Sequence, residues 1–171
     1  MNFKTGLSIA IMFSFFSCSK APLDTVPNVD IEKYSGTWYE IARLPNSFEK
    51  GLKCVTATYS LKENGKIKVE NRGVKADGKV IDIEGTAWQS DGEYPGRLKV
   101  RFFWPFSGDY YIMKLADDYS YSLVGSPSWK FLWILSRSKS ISDETKSELL
   151  QYAKDRGFAV ENMEMILHDC Q

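Results

Sequence analysis

The sequence predicts an all-β fold, an eight-stranded antiparallel up-and-down β-barrel with one α-helix packed outside it near the C-terminus. Short β-rich runs follow one another at near-regular spacing with tight-turn signals between them, and one face of these runs is apolar throughout. After Arg137 the hydrophobic period changes from two to that of a helix.

The runs are 36–44 (GTWYEIARL), 54–61 (CVTATYSL), 66–74 (KIKVENRGV), 79–88 (KVIDIEGTAW), 97–104 (RLKVRFFW), 110–116 (YYIMKLA), 119–125 (YSYSLVG) and 131–137 (FLWILSR). Asn64-Gly65, Asp77-Gly78, Asp91-Gly92, Pro95-Gly96 and Ser107-Gly108 punctuate them. Asn-Gly and Asp-Gly supply the positive φ angles of tight hairpins, so consecutive strands pair antiparallel. In 66–73, Ile67, Val69, Asn71 and Gly73 share one face while Lys66, Lys68, Glu70 and Arg72 share the other. Ile81, Ile83, Gly85 and Ala87 repeat the pattern opposite Asp82, Glu84 and Thr86. A meander with one apolar face buries it by closing, which also removes its edges. Eight strands enclose a space that side chains fill or one small ligand occupies. The small inner residues Ala57, Gly73, Gly85 and Ala87 favour a cavity, with a filled barrel or sandwich as the alternative.

Past Arg137, Ser140 or Ser142 caps a helix with Asp143 and Glu144 in its first turn, an apolar stripe of Leu149, Leu150 and Ala153, and Gly157 at its end. A short strand is expected near 163–167.

Composition narrows the function. The 171 residues hold 22 Lys and Arg against 22 Asp and Glu, a balance without the basic surplus that nucleic acid requires. One His excludes sites built from several imidazoles, and 43% hydrophobic residues argue against disorder. Three Cys is an odd number for an exported chain.

The N-terminus accounts for the odd one. Lys4 precedes an apolar run, 7–16, too short to span a bilayer, which ends at Ser17-Cys18. It resembles a bacterial lipobox, with Phe15 where Leu is usual. The resemblance implies a signal peptide over 1–17 and a diacylglycerol thioether on Cys18, the alternative being a plain secretory signal. Ser19 in place of Asp favours the outer membrane, facing the periplasm. Residues 18–29, with Pro22 and Pro27, read as a tether, and 30–171 as the folded domain.

Gly36-Thr37-Trp38 at the start of the first strand, Asp118-Tyr119 between the sixth and seventh, and Arg137 at the end of the eighth together resemble the three motifs of the lipocalin family. The string GTWYEIAR (36–43) is similar to its bacterial outer-membrane and apolipoprotein D group, whereas Asp117 departs from the usual Thr of the second motif. The resemblance implies that Arg137 lies across the Trp38 indole and plugs one end. Side-chain parity from that end then lines the pocket with Ala42, Val55, Ala57, Asn71, Ile81, Ile83, Val100, Phe102, Tyr110, Ile112 and Trp133. The implied ligand is a small apolar lipid, a fatty acid or lysophospholipid, bound and carried with no cofactor, no metal and no chemistry. It also implies a disulfide between Cys54 and the tail at Cys170. A thiol enzyme and a zinc site at Cys54, His168 and Cys170 are the rivals, and Glu40 with Lys114 is a candidate buried pair. Phe103, Trp104 and Phe106 at the mouth suit a lid, a membrane-touching lip or loop packing alike.

Overall fold

The computed structural model describes residues 22–90 and 92–170. The signal peptide 1–17, the anchor Cys18 and tether residues 19–21 lie outside the described residues. The elements are α1 (Ile31–Tyr34), β1 (Gly36–Arg43), β2 (Lys53–Leu61), β3 (Ile67–Val74), β4 (Val80–Gln89), β5 (Arg97–Arg101), β6 (Gly108–Leu115), β7 (Tyr121–Gly125), β8 (Leu132–Ser136), α2 (Asp143–Asp155) and β9 (Glu164–Met165).

Strands β1 to β8 pair antiparallel in chain order, and β1 bonds to both β2 and β8, which closes the barrel. Gly65 and Gly78 adopt φ of 74° and 83°, the backbone that their Asn-Gly and Asp-Gly turns demand. Trp38, Tyr59, Val69, Leu98, Ile112, Val124 and Leu135 meet in a buried cluster inside. A second cluster seats α2 on the outer wall, where Leu149 and Ala153 join Ile41, Met113, Leu123 and Ile134. Ser142, the second of the two expected caps, accepts from Thr145 N, and the chain leaves the helix through Gly157 at φ 84°.

Three irregularities break the alternation, in β1 between Glu40 and Ala42, in β2 between Lys53 and Thr56 and in β6 between Ile112 and Lys114. Each adds one residue and exchanges the inner and outer faces beyond it.

One end is plugged. The Arg137 guanidinium sits 3.9 Å above the Trp38 ring and donates to the carbonyls of Lys33, Tyr34, Ser35 and Thr37. Helix α1, which the sequence reading did not anticipate, supplies two of those carbonyls and its C-cap Ser35 a third. Asp30 caps it by accepting from Glu32 N and Lys33 N. Gly36, at φ 96°, leaves room for the arginine, since a Cβ there would stand 3.2 Å from Arg137 Nη1. Arg137→Lys keeps the charge but loses the flat stack and the fork, so it should cost about 2 kcal/mol, read from the urea midpoint.

The segment 22–29, expected as a free tether, is bound to the wall as a strap. Leu23 is buried, Asp24 pairs with Arg156 at 3.8 Å, Val26 N donates to Ile112 O, and Asp30 N donates to Tyr119 Oη at the plugged end. Since Trp129 Nε1 from the β7–β8 turn donates to Arg156 O, α2 runs from the plugged end towards the mouth.

Candidate functional site

The barrel interior combines an apolar wall with one polar group at each end. Ile112 lies fully inside the inner cluster, and Ala57, Val100, Phe102, Tyr110 and Trp133 pack against it. Val55 is buried opposite Gly73, and Ile81 and Ile83 stand in register with Gly73 and Asn71. Asn71 Oδ1 is buried with no hydrogen-bond partner among the described residues.

Ala42 is a correction to the parity reading. The β1 bulge turns it outward into the cluster under α2, where it pairs with Met165 of β9. Arg43 takes the inward place in register with Trp133, and only 1% of it is exposed. Lys114 is another correction. The β6 bulge puts it outside, its ammonium 4.5 Å from the Tyr152 ring centroid, so it does not meet Glu40. The small inner residues also leave less room than expected: a Cβ on Gly85 would stand 2.7 Å from the Phe102 ring, and one on Gly73 3.0 Å from Leu52 Cδ1.

Near the plugged end three phenols converge. Tyr110 Oη lies 2.8 Å from Tyr34 Oη and 2.9 Å from Tyr59 Oη, and Tyr34 Oη also donates to Ser122 Oγ. Burial pushes the Tyr34 hydroxyl up to about 12 and raises Tyr59 and Tyr110 as well, so all three stay neutral donors.

Towards the mouth, Arg43 joins one buried carboxyl to two loop carbonyls. Its Nη1 donates to Glu40 Oε1 at 2.9 Å and its Nη2 to Glu49 O at 2.7 Å and Leu52 O at 3.3 Å. Glu49 descends from the β1–β2 loop, and its Oε2 accepts from Asn46 Nδ2 and Trp133 Nε1. Burial and the neighbouring Glu49 charge hold the Glu40 carboxyl well above its ordinary 4.5, against the opposing pull of Arg43. The loop 45–52 is thus pinned across part of the mouth. Phe48, Phe131 and Trp133 form an aromatic ladder from rim to interior, with successive centroids 5.6 and 5.7 Å apart. The sequence reading missed Arg43 and Glu49. The signal was present in Glu40 and Arg43, three apart on one strand, which reach the same face only across a bulge.

The tail completes the wall. Cys54 and Cys170 form a disulfide, so this pair offers no free thiolate. His168 sits with Nε2 2.8 Å from Glu40 O and its ring edge-on to Tyr39, fixing the tail against the β1 bulge.

Residues 29–168 match the family model described as a lipocalin-like domain. The chain is 46% identical over 136 residues to the outer membrane lipoprotein Blc of Escherichia coli (strain K12), covering 79% of this chain and 77% of that protein. It is 41% identical over 168 residues to apolipoprotein D of Bos taurus, covering 92% and 87%. Insecticyanin of the tobacco hornworm Manduca sexta superposes with a TM-score of 0.71 at 22% identity, over 87% of this chain and 86% of that one. A closed eight-stranded barrel, a Trp38–Arg137 plug, an outer helix and these matches lead to one conclusion: the chain belongs to the lipocalin family.

Proposed function

We propose that this protein is a lipid-anchored lipocalin of the bacterial outer membrane that captures and carries apolar lipids, fatty acids or lysophospholipids, through the barrel mouth without chemical conversion. The observation that carries the reading is an apolar inner wall in a barrel plugged at Trp38 and Arg137, and a ligand would enter from the opposite end. The lipobox-like Ser17-Cys18 and the names of the bacterial relatives support the anchor at Cys18, with the domain on the periplasmic side. Val55, Ala57, Ile81, Ile83, Val100, Phe102, Ile112 and Trp133 form the acyl wall in this reading. Asn71 Oδ1, buried without a donor, and the Tyr110 hydroxyl receive the polar end.

Native mass spectrometry followed by solvent extraction tests it, with titration of palmitate and a lysophospholipid into the stripped protein. A bound lipid and saturable uptake are expected. Asn71→Val should weaken a hydroxyl-bearing lysophospholipid by about tenfold, one buried hydrogen bond, and palmitate less. A barrel that comes out empty and ignores both lipids leaves only the filled-scaffold alternative, for which Phe102 beside Gly85 is the favouring contact. Turnover of the bound lipid during incubation would replace the carrier by an enzyme.

A further inference from the structure

The mouth carries a surface that lipid capture inside the barrel does not use. Phe103, Trp104 and Phe106, in the turn between β5 and β6, are 68%, 82% and 77% exposed, and Phe48 of the β1–β2 loop is 59% exposed. Monomeric surfaces rarely present four large apolar side chains together at one end. Lys50, Lys75, Lys79 and Lys130 stand exposed on the neighbouring mouth turns. None has a carboxylate within 4 Å among the described residues, and Asp77 is the one exposed acid on those turns. The turns at the plugged end are mixed in charge, with Lys62 and Lys66 on either side of Glu63, and Glu93, Asp117 and Asp118 on the other two. The mouth turns are therefore both basic and aromatic. Aromatic rings flanked by lysines match the headgroup layer of an anionic bilayer, where Trp and Phe settle at the interface and each lysine is drawn to the negative surface.

The strap supplies an independent argument. From Asp30 beside Tyr119 at the plugged end it climbs past Ile112 to Asp24 on Arg156, at the mouth-ward end of α2. Pro22 is the first described residue, and Cys18 is four residues before it. Four residues reach at most ~14 Å, so a lipid on Cys18 is held on the mouth side of the barrel.

We propose that the rim of Phe48, Phe103, Trp104 and Phe106 with its four lysines docks on an anionic phospholipid bilayer, mouth towards the membrane, beside the Cys18 anchor. This rests on the anchored-carrier reading for the anchor alone. Ligand then passes between bilayer and barrel without crossing water.

The test uses the mature lipidated protein in vesicles of phosphatidylethanolamine and phosphatidylglycerol with brominated acyl chains, reading tryptophan fluorescence. Trp104→Phe isolates the Trp104 emission by difference. Most of that emission should be quenched by bromine and shielded from aqueous iodide. Lys75→Gln and Lys79→Gln should each weaken the docked population about fivefold. Trp104 open to iodide on vesicles that retain the protein and its lipid uptake would overturn the docking and leave the carrier reading intact. Shielding from both quenchers would assign the rim to a protein contact, a second copy or another partner, and also overturn it. Release of the protein by an alkaline wash would remove the anchor, and the docking orientation with it.

Discussion

Replacing Arg43 by Met should lower the unfolding free energy by about 3–5 kcal/mol, the cost of stranding a buried acid without its counter-charge. Arg43 is 1% exposed and Glu40 3%, and their contact is 2.9 Å. The same guanidinium holds the carbonyls of Glu49 and Leu52, so its loss also frees the loop that covers part of the mouth. Faster exchange of bound lipid is expected alongside the loss of stability. Because Glu40 is held well above 4.5, the folded chain keeps a proton that the unfolded chain releases once the pH passes that value. This contribution to stability is fully present below pH 4.5 and is lost as the pH rises through the folded pKa. Urea titrations across that window should show the fall, and Glu40→Gln should flatten it. Combining Arg43→Met with Glu40→Gln should recover part of the lost stability, since no charge is then stranded at Glu40. A loss below about 1 kcal/mol in Arg43→Met would place the pair among solvated ion pairs and sink the sealed-cluster account.

The barrel was legible in the sequence because its signals are local. Asn-Gly and Asp-Gly turns and the alternation in β3 and β4 each depend on neighbouring residues, and they set strand order and closure. The faces of β1 and β6 were not legible, because a bulge leaves no mark in GTWYEIAR or YYIMKLA. Ile41 and Met113 are ordinary strand residues, and the extra place that each occupies is set by pairing with distant strands. Reading through them put Ala42 in the pocket and Lys114 beside Glu40. Helix α1 was missed for a different reason. Asp30 followed by Ile31-Glu32-Lys33 is a legible cap, but the prolines before it drew the segment into the tether. The strap itself depends on Gly96, where a Cβ would stand 2.8 Å from Val26 O, a contact across 70 residues of chain that no local pattern encodes.

The Cys54–Cys170 disulfide should be worth up to about 5 kcal/mol in the chain-entropy account, measured as the difference between the wild type and Cys54→Ser/Cys170→Ser under oxidising conditions. Its sequence separation of 116 is what makes the closed loop large. Its position gives it a second consequence. β1 pairs with β2 only from Gly36 to Tyr39, and β2 has its own irregularity between Lys53 and Thr56. The mouth-ward half of that seam is spanned by the tail: β9 pairs with Ala42 and Arg43, Ile166 N donates to Ile41 O, and Cys54 N donates to Leu167 O. The disulfide fastens the far end of this patch, where Lys53 also pairs with Asp169 at 2.9 Å. That ion pair is exposed and adds little. In the double serine variant, amide exchange should therefore accelerate first at Cys54→Ser and Ile166, while β3 and β4, paired along their whole length, keep their protection. The wild type under strong reductant should follow the variant. Uniform acceleration across all strands would make the crosslink a purely entropic constraint on the unfolded chain. Local opening at the seam would show that the tail is a strand of the wall, kept in place by the bond.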